Sequence, residues 1–406
     1  MFSARNNHLR VRQGHDHHRV TFVELFFDLV FVFAITQLSH GLLKHLTPLG
    51  TVQAGLLLVA VWWAWIDTAW ITNWLDPEKP AVRMMLFALM LAGLVFSSSL
   101  PQAFESRALP VALSYLAMQA ARDLFMLWAL KRHDGGNFRN FIRIGCWHLY
   151  SAPFWLAGAF VEGPARLSLW AIAVGIESVA PILGFHVPML GRSNTADWVV
   201  EGGHMAERCG LFIIIALGES VLITGATFTE LAWNSATIAA FTVSFIGSVA
   251  MWAVYFNFGA ARSSHMIASS DDPGRLARSG YTYLHVPIVA GIIVTAVADE
   301  LVLHHPTGHE GHTELATAAA ILAGPALYLS GNALFKRLSA PYFPLSHLAG
   351  LALLALLVPA ALVATPLVLS AASTAVLIVV AVWEWLSFRQ PPAPAIANGT
   401  ASGRAL

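Results

Sequence analysis

Charge is what this sequence has least of. Only 11% of its 406 residues are Asp, Glu, Lys or Arg, against about 25% in an ordinary soluble domain. So thin a charged coat cannot cover a soluble globule of this size. The 23 basic and 23 acidic residues cancel, which excludes a basic nucleic-acid binder. Cysteine is scarcer still. Cys146 and Cys209 lie in apolar runs and read as small buried hydrophobes, which excludes a disulfide scaffold. There is no Walker loop, no GxSxG at a strand–helix turn and no GxGxxG after a strand, and Ser97-Ser98-Ser99 has no evident His–Asp partner set. No catalytic residue, cofactor or metal is therefore assigned. What the chain does have is apolar bulk, with 57% hydrophobic residues and a mean hydropathy of +0.63. This composition predicts a membrane protein whose main partner is the lipid bilayer.

A membrane-crossing helix needs roughly 20 mostly apolar residues. Windows of that kind cover 20–44, 51–74, 82–104, 108–130, 139–161, 167–190, 206–228, 233–258, 281–303, 314–335, 342–360 and 364–388. Pro344, Pro359 and Pro366 interrupt the last two. The expected fold is an all-α polytopic transmembrane bundle of about 12 spans. It divides into a cytoplasmic tail (1–19), a first six-helix half (20–202), a second (203–390) and a disordered tail (391–406) rich in Pro, Ala and Gly. The first apolar run is too long for a signal-peptide core and lacks a small-residue cleavage site, so it is expected to remain as the first span. The longest polar connection, Ala260 to Gly280, carries the turn signal Asp271-Asp272-Pro273-Gly274.

Loop charge bears on this count. Nineteen Lys and Arg fall on or beside one alternating set of segments that includes both termini, and three (Lys44, Arg107 and Arg166) fall on the other. Basic loops mark the cytoplasmic side, so both termini are expected in the cytoplasm of a cell-membrane protein. A parallel repeat is also legible. Glu24-Leu25 matches Glu207-Arg208, Trp63-Ala64 matches Trp252-Ala253, and Leu91-Ala-Gly-Leu-Val matches Val289-Ala-Gly-Ile-Ile. Ala129-Leu130-Lys131-Arg132 matches Leu334-Phe335-Lys336-Arg337. Six spans per half would relate the repeats by an axis along the membrane normal. Apolar helices also resemble one another by composition alone.

Ionisable residues inside spans are costly and usually mark an ion, proton or substrate path. Glu24 and Asp28, four apart in the first span, project from one helix face and repel each other. They require a partner cation, a proton or water. Gln37 and His40 continue that face. Asp67 lies in span two, Arg122 and Asp123 in span four, Arg143 in span five and Glu177 in span six. Glu207, Arg208 and Glu219 lie in span seven, and Glu219 has no cation within a turn. At 1.5 Å per residue most of these occupy the inner half of the membrane, with Glu177 and Glu219 near its middle. Arg122 and Arg143 are the natural counter-ions for Glu24, Asp28 and Asp67, because Arg keeps its charge when buried. The competing reading is a set of ion pairs that fix helix register.

Span two holds Trp62, Trp63, Trp65, Trp70 and Trp74. Trp70 and Trp74 fit an interfacial belt, and the other three read as packing more readily than as a stacking surface for substrate. The loop His304-His305-Pro-Thr-Gly-His309-Glu310-Gly-His312 is expected outside; it reads as a solvated His-rich turn rather than a metal site, as do His15, His17 and His18.

These residues carry a resemblance. Val23-Glu24-Leu25-Phe26-Phe27-Asp28-Leu29-Val30-Phe31-Val32-Phe33-Ala34, Trp62-Trp63-Ala64-Trp65, and His204-Met205-Ala206-Glu207-Arg208-Cys209-Gly210-Leu211-Phe212 running into Ala216-Leu217-Gly218-Glu219-Ser220 resemble the low temperature requirement protein A (LtrA) family of bacterial multi-pass membrane proteins. The family name implies a link to growth in the cold and brings no molecular activity or site residues. Phe27-Asp28-Leu29-Val30-Phe31 with Ala34-Ile35-Thr36 is also similar to the Phe-Ser-Asp first helix of potassium channels built from six-span repeats. Phe27 stands in place of the Ser, and in those channels the first helix lines the pore.

The expected function is transport of an ion, proton or small solute, as carrier or channel, along a path lined by spans one and seven. Glu24 and Asp28 would act at its inner end and Glu219 near the midplane. The alternative is a membrane sensor or assembly factor responding to temperature or lipid state. An enzyme acting on lipid-linked substrates is a third reading, with no convincing catalytic group.

Overall fold

The computed structural model describes residues 8–10, 20–131, 134–193, 201–257, 273–308, 311–339 and 342–389. Both expected tails, apart from residues 8–10, lie outside these residues. So do His15, His17, His18, His309, Glu310 and Asp271-Asp272.

The described residues form an all-α bundle. Helices α1 to α6 span Phe22–Lys44, Pro48–Trp74, Pro80–Ser99, Ala108–Leu130, Gly135–Phe160 and Gly163–Val179. Helices α7 and α8 span Gly202–Glu230 and Ser235–Phe256. A short helix at Pro273–Ala277 and a π turn at Arg278–Tyr283 lead into α9, His285–His304. Helices α10, α11 and α12 are Leu315–Ser339, Leu345–Leu356 and Pro366–Arg389. Local chemistry sets the starts. Proline opens α2, α3 and α12, where its missing N–H costs nothing. Asp134 caps α5 by accepting from Gly136 and Asn137, and Asn234 caps α8 by accepting from Ala236 and Thr237.

Eight of these segments are long and apolar enough to cross a membrane: α1, α2, α3 with its 3-10 extension, α7, α8, α9 with its lead-in, α10 and α12. Helices α4 and α5 carry internal charges, and α6 and α11 are short, with 17 and 12 residues.

Contacts along α1 and α7 fix their relative direction. Glu24 meets His204, Asp28 meets Arg208 and Thr36 meets Glu219, at sequence separations of 180, 180 and 183. A constant separation means the two helices run parallel and in register; antiparallel helices would keep a constant sum instead. Helices α4, α5 and α6 alternate in direction. Tyr115 packs on Trp155 while Asp123 reaches His148. Ser151 reaches Glu177 while the Trp170 indole reaches the Trp155 carbonyl.

Helices α9 and α10 approach until their backbones touch. A Cβ added at Gly291 would lie 2.5 Å from the Tyr328 amide nitrogen, and one at Gly324 would lie 2.8 Å from the Thr295 amide nitrogen. The clashing atoms are backbone and cannot rotate away, so small residues there let the helices touch. Gly291→Val should lower thermal stability by about 1–3 kcal/mol, the usual cost of overpacking. An unchanged melting temperature in detergent would show that this contact is not made.

Candidate functional site

Among the described residues, three clusters of buried charged side chains stand out. In the first, α1 and α7 meet the end of α2 and an arm of the N-terminal segment. Leu9 pairs with Leu75 in an antiparallel bridge, which lays the arm over the C-terminus of α2. Arg10 then turns inward. Its Nε donates to the Thr72 and Leu75 carbonyls at 2.9 and 3.0 Å, and its Nη2 lies 3.3 Å from Glu24. Glu24 also receives the Thr21 amide at 2.9 Å and stands 2.9 Å from His204 Nε2. One turn on, Asp28 accepts from Arg208 Nη2 and from the Trp65 indole, both at 2.7 Å. The Arg208 guanidinium also lies over the Trp65 ring, 5.6 Å from its centroid.

Glu24, Asp28 and Arg208 are completely buried. Two carboxylates face two guanidiniums, so the cluster balances with His204 neutral. Among the described residues, the second Asp28 oxygen and the Arg208 Nε and Nη1 atoms make no hydrogen bond.

The pairing expected from depth therefore fails in two of three cases. Glu24 and Asp28 are held by Arg10, His204 and Arg208. Arg143 instead donates to the Leu190 carbonyl at 3.0 Å and to Asn140 at 2.6 Å. Arg122 does meet Asp67, at 3.4 Å.

The second place is a cavity of about 110 Å³ between α2, α4, α5, α6 and the lead-in to α9. It holds Asp67, Arg122, Asp123, His148 and Glu177. Arg122 donates to the Ala64 carbonyl at 2.7 Å and to Thr68 at 3.0 Å, and also bonds Gln119. His148 Nδ1 lies 2.7 Å from Asp123. Glu177 is closed in by Tyr115, by Ser151 at 2.6 Å and by the Trp155 indole at 3.1 Å. Trp63, Trp70 and Trp74 form one wall. Trp62 and Trp65 pack in the core as expected, but Trp70 and Trp74 face this cavity rather than forming a lipid-facing belt. The Trp70 indole donates to Thr282 at 3.0 Å.

The third place has one signal in the sequence, Glu384 inside the apolar window 364–388. Lys336 on α10 lies 2.7 Å from Glu384 on α12, with His347 of α11 3.4 Å from the same carboxylate. By the apolar windows Lys336 is a loop charge. So is Arg166, which is 3% exposed and donates to the carbonyls of Gly158, Val161, Ala103 and Glu105. Each sits at the edge of its window, where a buried charge and a loop charge read alike.

The remaining expected residues stand apart. Gln37 lines a separate cavity of about 210 Å³ with His45, Gln53 and Glu105, at the other end of α1. Exposed Glu207 accepts the Val20 amide at 3.2 Å. Glu219, 8% exposed near the middle of α7, receives the Thr36 hydroxyl at 2.5 Å and meets no cation among the described residues. Neither of these two cavities is lined by Glu24, Asp28 or Glu219.

The model of the family described as "Bacterial low temperature requirement A protein (LtrA)" matches residues 19–382. The chain belongs to the LtrA family. A protein of Rhizobium meliloti (strain 1021), described as uncharacterized, is 38% identical over 392 residues, covering 95% of this chain and 93% of its own length. No solved structure matches. The α1 and α7 polar cluster sits in the stretches that carried the LtrA resemblance, since Glu24, Asp28, His204 and Arg208 all belong to them.

Proposed function

We propose that this LtrA protein is a twelve-span membrane transport protein for an ion or small solute, built from two parallel halves that meet along α1 and α7. The observation that carries the proposal is Glu219. It is a buried carboxyl in mid-helix, bonded to a hydroxyl and, among the described residues, to no cation, on the seam between the halves. A carboxyl so placed has no stabilising salt bridge there to explain it and is the kind of group that takes up and releases a proton or cation.

Two observations support the architecture. Thr36 and Glu219 are separated by 183 residues, the offset that aligns Glu24 with Glu207. A residue that touches its own counterpart lies on the axis relating two halves. Neighbour relations also repeat: α1 packs on α3 as α7 packs on α9, and α2 on α6 as α8 on α12. Parity favours more than eight spans. Parallel α1 and α7 need an odd number of crossings between them; α2 and α3 supply two, so α4, α5 and α6 must supply one or three. Loop charge supports cytoplasmic termini.

In this reading Glu24 and Asp28, clamped by Arg208 and Arg10, close the inner end of the seam, and separation of the halves exposes Glu219 to alternate sides. The test is electrical. The full chain, reconstituted on a supported membrane, receives rapid jumps of pH, Na⁺, K⁺ and small amines. Transient currents above those of protein-free membranes are expected for at least one. Silence to all of them would overturn the transport reading.

A further inference from the structure

We propose that the cavity between α2, α4, α5 and α6 is a binding site for a small alkylammonium cation. This deepens the transport reading and rests on it for the cation's physiological role, but the binding itself does not depend on transport.

Helix α2 builds the site. Trp63, Trp70 and Trp74 stand four residues before, three after and seven after Asp67, so all four side chains share one helix stripe. Phe141 of α5, packed edge-on against Trp74 with ring centroids 6.0 Å apart, and Trp147 also line the cavity. Aromatic faces carry negative charge density and attract ammonium groups, most strongly where water is excluded. A carboxylate among them adds direction. One Asp67 oxygen faces Arg122 at 3.4 Å and His148 at 4.0 Å; the other carries no hydrogen bond among the described residues, and the side chain is 30% exposed, within the cavity.

The cations of the lining are already engaged, and Arg122 and His148 meet Asp67 through one oxygen only. Arg122 donates to the Ala64 carbonyl, Thr68 and Gln119, and Arg278 donates to the Pro181 carbonyl at 2.6 Å. His148 is bound to Asp123. An anionic ligand would find few free donors here, whereas an ammonium finds an open carboxylate oxygen and aromatic rings. Size agrees. A cavity of roughly 150 Å³ takes a benzene-sized molecule, so about 110 Å³ suits a trimethylammonium headgroup, with any longer arm of the ligand lying outside it.

The probe is radiolabelled choline, with the full chain in phosphatidylglycerol nanodiscs. Saturable retention is expected. Tetramethylammonium should compete at least about tenfold better than 3,3-dimethylbutan-1-ol, the uncharged carbon analogue of choline, as cation–π attraction predicts. Asp67→Asn should weaken retention by about tenfold or more. The competition series uses the unaltered protein, so it stands even if that variant misfolds. Adding phosphatidylethanolamine to the nanodiscs separates the sources: competition marks a lipid headgroup as occupant, and indifference marks a free amine. No saturable retention, or equal competition by the uncharged analogue, would overturn the proposal. Retention without currents would defeat transport and leave the site standing; currents without retention would do the reverse.

Discussion

Arg208→Met should destabilise this protein more than Gly291→Val does. Asp28 would keep only the Trp65 indole, and Glu24 would lose one of its guanidinium neighbours while keeping Arg10 and His204. Removing one partner from a buried ion pair leaves an uncompensated charge, a loss of about 3–5 kcal/mol. The expected outcome is a large fall in melting temperature, with aggregation on gel filtration in mild detergent.

The double variant Asp28→Leu with Arg208→Met makes the result interpretable. Buried ion pairs replaced by apolar side chains of similar volume are often neutral or stabilising. The double variant should therefore recover most of the lost stability. If it also recovers full currents, the pair serves only to hold α1 against α7. If it folds but stays silent, the charges belong to the transport cycle. A single Arg208→Met variant as stable as the unaltered protein would mean that Asp28 does not depend on Arg208 at all.

The architecture was largely legible because hydropathy reports on solvent, and the twelve apolar windows overlap α1 to α12 to within a few residues at most ends. Pairing was not legible, because depth along a helix follows from sequence while the direction a side chain faces depends on packing. Arg122 and Arg143 lie at a suitable depth for Glu24, yet they sit on α4 and α5, which pack away from it. Arg208 could have been found. Spans one and seven were expected to line one path, and the alignment of Glu24 with Glu207 puts Arg208 within a turn of the level of Asp28. Arg10 had no such signal. It enters beside Leu9, whose bridge to Leu75 has no periodicity to read. The cavity tryptophans were misassigned for a related reason: Trp70 and Trp74 lie at interfacial depth but turn towards α5 and the lead-in to α9.

Glu219→Gln is expected to behave in the opposite way to Arg208→Met, with stability kept and function lost. Glu219 is in no ion pair among the described residues, so an amide of the same shape removes no salt bridge there and can still bond Thr36. The change in stability should stay within the about 1 kcal/mol of one hydrogen bond. The chemistry differs. Thr36 Oγ1 also lies 3.2 Å from the Val32 carbonyl. That hydroxyl can donate to a Glu219 carboxylate, or accept from the protonated acid while donating to Val32. The same contact thus serves both protonation states, and a glutamine has only one. Currents driven by a pH jump should fall to the level of protein-free membranes in Glu219→Gln. Glu219→Asp, which keeps an ionisable group, should retain a reduced, pH-dependent response. If Glu219→Gln matches the unaltered protein in both size and pH dependence, the proton site lies elsewhere and the seam between α1 and α7 is only a joint.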